Sequence, residues 1–444
     1  MPKRSLSGID LLVVTHSEEL SGGAEVALLS FTKYLYKQGL KIHIVSPYKG
    51  GFTKQLKQFA PDIPITYIYQ PWWVFGKVGP PEFKFTNDDH TNNITCSLVE
   101  LINKTRPALC ITNTITIPWL AYASALTNTR HAWFLHEMAL GSRTFLSRPA
   151  LFQTIDMLSD KIFCSSQYTA HYFEEFFVNN KDIGVVYPYS EKKIPDNNSP
   201  SPFDIKSNRF ILVGAVRQLK GQYDAIQAIK RLKDNGVVAQ LIILGPVDEQ
   251  DYYKQLIRYC KKNGIEKNVK FLGRKDNPAT FVNHADIVLM CSEGESFGLV
   301  TVEGMLLGKP VIGADSAGTA EIIKDNKTGL LYKPHDINEL ADKMSLLINN
   351  KQLASSIGEA AKKDAERRFS EESCYQDFIK YYRTMPKVKT ALNLSPLSSI
   401  IEDHQAVIDG LNHALQDRDK RLNNILNSKT WRLLRMLRKI IFFK

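Results

Sequence analysis

From residue 9 to residue 46 the chain passes from a short unbroken apolar run, through a longer run apolar on one side only, to a second short run. Ile9–Val14 has the length and composition of a strand buried on both faces. Ala24–Gln38 sets Val26, Leu29 and Leu35, with Ala27, Phe31 and Tyr34, on one broad face of a helix, and Gly39 follows as its stop. Lys41–Ser46 then reads as a second strand. Strand, helix and strand joined at this spacing require a parallel pair with a right-handed crossover.

The unit recurs. Strands are expected at 65–69, 109–112, 131–135, 161–164 and 183–187, with helices from Thr53, near 93–103 and at 167–177, the last capped by Ser165-Ser166. Pro188 to Asn208 breaks the pattern with prolines, lysines and asparagines, the composition of a linker. Strands resume at 210–213, 240–244, 269–272, 285–290 and 310–313, with helices at 249–262 and from Ile337, Gln352 and Glu371. The fold class is therefore α/β, with one domain over 1–190, a linker over 191–208 and a second domain over 209–370. A helix over 371–385 and a helical, basic, amphipathic tail over 386–444 complete the division. A chain of 444 residues, 43% of them hydrophobic, can fill two cores of ordinary size.

A net charge of +11 points to an anionic partner: nucleotide, nucleic acid or lipid surface. From Pro386 on there are eleven Lys and Arg against five Asp and Glu, a net of +6, so over half the excess sits in the tail. Lys429, Arg432, Arg435, Arg438 and Lys439 fall on one side of a helix there, and Leu433, Leu434, Leu437, Ile440 and Ile441 on the other. That pattern suits an anionic membrane interface and argues against a nucleic-acid partner; a charged face on a docking helix is the bland alternative. Ile401, Ile408, Leu415 and Leu422 recur every seven residues, so residues 400–426 could pair as a homo-oligomer or fold onto the protein. Six scattered cysteines form no C-x-x-C pair and no zinc spacing, which predicts free thiols, no metal site and a reducing, cytoplasmic setting. No signal peptide and no run of 18 apolar residues is present, so a peripheral place on the inner face of the membrane is expected.

Chemistry is expected in Glu293 to Gly304, a loop from the strand ending at Met290 into a helix. Phe297, Gly298, Leu299 and Val300 should start that helix, where unpaired N–H groups and the dipole favour a diphosphate, and Gly298 lets the backbone come close. Glu295 and Glu303, with seven residues between them, supply acceptors for sugar and ribose hydroxyls. Acidic residues at a helix start are also common for dipole reasons alone. Elsewhere, Gly22-Gly23 sits at the end of the first strand, where open α/β sheets bind ligands, or else simply starts a helix. His136 ends a strand, a position more often structural than catalytic. The aromatic loop from Pro71 to His90, with Trp72, Trp73, Phe75, Phe83 and Phe85, reads equally as a sugar-stacking surface or a packed loop.

The string from Glu293 through Gly308-Lys309-Pro310-Val311-Ile312 resembles the E-x7-E signature of glycosyltransferase family 4. The likeness runs, with gaps, over roughly residues 9 to 385. It implies the GT-B architecture, two Rossmann-like domains facing across a cleft, with residues 371–385 crossing back onto the first. It implies a retaining, metal-independent transferase that needs no cofactor and takes a nucleoside-diphosphate sugar as co-substrate. His136, Lys220 and Glu295 would be catalytic. Gly22, Gly23, Arg217, Gly245, Phe297, Gly298, Leu299, Val300 and Glu303 would bind the donor. The family's Gly-Arg-Leu before Lys-Gly has Ala215 in place of the arginine, with Arg217 two residues on, and a family glycine is replaced by Ala317 before Glu321. The Ser428–Arg432 stretch resembles tails of some cell-surface polysaccharide transferases, so the acceptor is expected to be a glycan or glycolipid. A sugar-nucleotide epimerase or phosphorylase of the same architecture, and a non-catalytic glycan-binding or assembly subunit, are the other readings.

Overall fold

The computed structural model describes residues 8–386, except 21, 73, 76–88, 139–142, 145–147, 180–181, 192–193 and 207, together with Lys420. The readings of 400–426 and 427–444, and of Trp73, Phe83 and Phe85, lie outside the described residues, Lys420 apart.

Two parallel sheets carry the chain. The first is built from β1 (Leu11–Thr15), β2 (Ile42–Ser46), β3 (Ile65–Tyr67), β5 (Leu109–Asn113), β6 (His131–Leu135), β8 (Lys161–Cys164) and β9 (Gly184–Val185), in the order β3-β2-β1-β5-β6-β8-β9. A separate antiparallel pair joins β4 (Val74–Phe75) to β7 (Arg143–Thr144). The second sheet contains β10 (Arg209–Val213), β11 (Gln240–Leu244), β12 (Val269–Phe271), β13 (Ile287–Met290), β14 (Val311–Ala314) and β15 (Leu330–Tyr332), ordered β12-β11-β10-β13-β14-β15. The inner strands are unbroken apolar runs because helices cover both faces; Leu11, Leu12, Val13 and Val14 are all buried. In register, Leu11 lies between Ile42 and Leu109, and Phe210 between Leu241 and Ile287. Each sheet reverses its winding at one place, between β1 and β5 and between β10 and β13. Ligand crevices open at the carboxyl ends of strands beside such reversals.

Four described helices escape the periodic reading: Trp119–Leu126, Arg148–Leu158, Pro278–His284 and Ala317–Ile322. The first shows why. Trp119, Leu120, Ala121, Ala123 and Ser124 are all buried, so no polar side exists to reveal a helical period.

After the second sheet the helices Lys351–Arg368 and Glu371–Thr384 follow, and the latter returns to the first sheet. Phe378 sets its ring 4.8 Å from Phe31, 5.8 Å from Phe134 and 5.6 Å from Phe163. Tyr382 donates to Asp10 Oδ1 at 2.6 Å. One apolar core thus runs through both halves, from Leu11, Phe31 and Phe134 to Phe297, Val302, Phe369 and Phe378.

Candidate active site

On the second sheet, β10 leads through Gly214 to a turn of 3₁₀ helix, Gln218–Lys220. Gly221 ends it at φ +65°, and a Cβ there would lie 2.1 Å from the Cys291 carbonyl oxygen, so only glycine fits. The close approach aims Lys220 across the neighbouring strand end, where its Nζ donates to Glu295 Oε1. Both side chains are largely buried. Burial works against ionisation of Glu295, but the Lys220 ammonium outweighs it, with help from Ser292 and Arg217, and holds the carboxyl below its usual range. Arg217 is exposed at the edge of this pair, close enough for its charge to act on Glu295. Gly245 lies against the Gly214 carbonyl, where a Cβ would come within 2.2 Å, so it lets two strand-end loops pack together.

The helix after Glu295 is Leu299–Leu306, and Gly298 precedes it at φ +103° with no side chain capping the first turn. Leu299 and Val300 therefore lie at a helix start of the kind that accepts an anion. Phe297 stands outside that helix. Its side chain is buried against Tyr187 and Phe369, at 5.5 and 5.4 Å, leaving only its backbone to face a ligand. Glu303 lies in the helix and accepts from Ser190 Oγ at 2.9 Å.

The first sheet contributes a second group of polar residues at its own carboxyl edge. Gly22 precedes the helix Gly23–Lys37, and Glu25 in the first turn is buried with His16 Nε2 2.8 Å from its Oε1. Asn113, at the end of β5, has its Oδ1 2.8 Å from His136 Nε2, just past β6. Burial pushes His136 down to about 4, so its imidazole is neutral at neutral pH. Glu137 beside it is pushed up by burial and accepts from the Ile115 N–H at 3.2 Å. Among the described residues no group of His, Cys, Asp and Glu is arranged to hold a metal ion, and no helix is long and apolar enough to cross a membrane.

Residues 21–189 match the profile described as Glycosyltransferase Family 4, and residues 194–364 the profile Glycosyl transferases group 1. The chain carries glycosyltransferase family 4 and glycosyltransferase group 1 domains. It is 29% identical to N-acetyl-alpha-D-glucosaminyl L-malate synthase of Bacillus anthracis over 230 residues, which are 50% of this chain and 59% of that one. It is 26% identical to the capsular polysaccharide biosynthesis glycosyltransferase CapM of Staphylococcus aureus over 223 residues, 48% of this chain and 53% of that one. The chain thus spans between half and three-fifths of the length of these curated relatives. Anabaena HepE, solved with UDP and glucose, superimposes with a TM-score of 0.68 at 23% identity, over 85% of this chain and 100% of that one. This places the two-sheet architecture in the GT-B fold.

Against the family 4 pattern the chain has two departures that the structure makes concrete. Ala215 offers its carbonyl to Gln222 Nε2 at 2.8 Å and carries no charge, so the cations near Glu295 are Lys220 and Arg217. Ala317 adopts φ +51°, a left-handed conformation that glycine takes freely and alanine only with strain. Contacts between the halves give Ser166, expected only as a helix cap, and Glu321 partners that no local pattern names. Ser166 Oγ and Thr169 Oγ1 donate to the Ser296 carbonyl, the latter at 3.0 Å. Glu321 receives the N–H groups of Gln167 and Tyr168, at 3.1 and 3.0 Å, and the Tyr187 hydroxyl at 2.7 Å. Gly23 comes within 3.7 Å of Leu299, counted from an added Cβ. His16, Asn113 and Ser190 were likewise missed. Their one signal is position: His16 and Asn113 stand at the ends of strands that flank the sheet reversal.

Proposed function

We propose that this chain is a retaining glycosyltransferase that moves a sugar from a nucleoside diphosphate to a hydroxyl of a glycan or glycolipid, in cell-surface polysaccharide synthesis. The observation that carries this reading is the pairing of Lys220 with Glu295 across 75 residues of sequence, at the ends of adjacent strands where the second sheet reverses. A cation and a carboxylate held there, beside an uncapped helix start, can stabilise a departing diphosphate and grip the sugar hydroxyls. In this reading residues 1–190 face the acceptor and residues 209–370 hold the donor. Glu303 binds ribose, in exchange for the Ser190 hydroxyl that it now accepts. Leu299, Val300 and Gly298 bring backbone to the phosphates, with Lys220 and Arg217 as counter-charges, and Gly22 and Gly23 close the site from the opposite side. Neutral His136 faces the transferred sugar.

The capsule relative and the UDP-bound fold neighbour support a uridine donor and a surface glycan product. The basic tail would hold the enzyme on the cytoplasmic face of the membrane. The test incubates full-length protein with a panel of sugar nucleotides and bacterial membrane extract, and follows nucleoside diphosphate release and labelled product. Release with one donor, abolished by Glu295→Ala, is expected; nucleotide binding without transfer from any donor would make the chain a binding subunit instead. For the tail, Arg435→Ser with Arg438→Ser and Lys439→Ser should weaken sedimentation with phosphatidylglycerol vesicles, and unchanged sedimentation would refute the membrane role.

A further inference from the structure

The loop that carries Glu295 is fastened from both halves of the molecule. Within the second half, Ser292 Oγ donates to the Leu219 carbonyl at 2.9 Å, Ser316 Oγ to the Glu293 carbonyl at 2.6 Å, and the Gly318 N–H to the Glu295 carbonyl at 2.8 Å. The next carbonyl, that of Ser296, is served by the first half: Ser166 Oγ and Thr169 Oγ1, 2.8 Å from each other, both reach it as donors, the latter at 3.0 Å. On the other side of Glu295 stands Gly294, where an added Cβ would meet nothing within 4 Å. A glycine packed against nothing restrains the chain least, so the aim of the Glu295 side chain depends on what holds the backbone after it.

The two hydroxyls do more there than their helix requires. Ser166 and Thr169 are fully buried at the start of the helix Gln167–Glu174. Capping uses only the accepting side of the Ser166 hydroxyl, which takes the Thr169 N–H at 3.0 Å. Its proton is left over from capping and goes to Ser296. Thr169 lies inside the first turn, where a cap asks nothing of its side chain, yet its hydroxyl reaches the same carbonyl. Joining the halves is the work of other groups. Glu321 takes two N–H groups of that turn and the Tyr187 hydroxyl, and one apolar core spans both halves. What the hydroxyls add is aimed at the backbone beside Glu295, and buried donors give up such bonds only at a cost.

We propose that Ser166 and Thr169 are positioning residues for sugar transfer: by holding the Ser296 carbonyl they fix Glu295 where it grips the donor sugar. This deepens the transferase reading and rests on it, for the sugar end of the donor site is then completed by the half that faces the acceptor. The nucleotide end needs nothing from these hydroxyls. Lys220, Glu303 and the start of the helix Leu299–Leu306 all belong to the second half. Loss of the hydroxyls therefore slows transfer without loosening the nucleotide.

The experiment compares the full-length wild type with Thr169→Val, Thr169→Ser and Ser166→Gly. Nucleoside diphosphate release is followed with the panel of sugar nucleotides and bacterial membrane extract, UDP affinity by calorimetry, folding by thermal melts and the radius of gyration by solution scattering. Thr169→Val keeps the shape of the side chain and loses the hydroxyl, whereas Thr169→Ser keeps the hydroxyl and loses the methyl group. Ser166→Gly removes the other donor at a position where a helix still tolerates glycine. Thr169→Val and Ser166→Gly should each lower extract-dependent kcat about 10-fold, the worth of one hydrogen bond, with UDP Kd and the radius unchanged. Thr169→Ser should keep the wild-type kcat. A packing role reverses that order, with Ser the damaging change and Val harmless, and overturns the assignment. So does full kcat in both Thr169→Val and Ser166→Gly, or a loss of kcat that comes with a larger radius, which would make the hydroxyls part of the clasp between the halves. Each of these outcomes leaves the transferase reading intact. A wild type that binds UDP yet transfers nothing from any sugar nucleotide overturns both.

Discussion

At the scale of single residues, the ion pair between Lys220 and Glu295 sets the charge of the proposed donor site. Removing the ammonium leaves a largely buried carboxylate without its counter-ion, and burial then drives its affinity for a proton upward. Lys220→Ala should therefore lower sugar transfer about 100-fold or more and weaken UDP binding, measured by product formation and calorimetry. His136 makes a separate prediction through linkage. Its folded-state value of about 4 lies below the ordinary 6.5, so the unfolded chain binds its proton first. Stability from this residue is complete above pH 6.5 and drains away as pH falls towards 4, by at most about 3 kcal/mol. Thermal melts between pH 7 and 4 should show that slope flattened in His136→Asn. Glu295 and Lys220 could be named as candidates because each lies in a string of several residues that resembles the family pattern, whereas His136, a lone histidine at a strand end, rests on the resemblance alone. His16 and Ser190 could not be named, since their partners, Glu25 and Glu303, are specified only by how strands and linker end in space.

The elements were legible where burial is one-sided or complete over a strand's length. The helix Gly23–Lys37 and the strand His131–Leu135 follow directly from period and length. The strand expected at 183–187 shrinks to Gly184–Val185, because it lies at the edge of its sheet and pairs only with β8. Sequence composition could not show that Phe297 belongs to the core rather than to the helix it precedes, because a buried ring and a ligand-facing ring look alike in one dimension. Ala317 carries the clearest stored strain among these elements. It opens the short helix Ala317–Ile322 in a left-handed conformation, beside Gly318, whose own lack of a side chain admits Phe297. Ala317→Gly should raise stability by about 1 kcal/mol, read as a higher denaturant midpoint at unchanged slope.

Across the whole molecule, the halves meet through a few hydrogen bonds on one side and a shared apolar core on the other. Glu321 gathers three donors from the first half onto one carboxylate. Glu321→Gln weakens all three, at a cost of about 1–3 kcal/mol, and should increase the radius of gyration of the ligand-free protein in solution scattering. No change in that radius would mean that the core alone sets the relation between the halves. The two-sheet plan was readable because repeated strand–helix units announce it, whereas these contacts join segments more than 100 residues apart and leave no local trace. The returning helix has a further consequence for how the chain is made. The bond from Tyr382 to Asp10 closes a span of 372 residues, and Phe378 completes the packing of Phe31, Phe134 and Phe163. On the ribosome, the first sheet emerges with that aromatic face uncovered and must wait for the whole of the second sheet, and the helices that follow it, to be synthesised before it is sealed. During this interval the nascent chain presents a sticky surface that chaperones can hold, and a ribosome that stalls before residue 378 releases a product with this aromatic face open to aggregation.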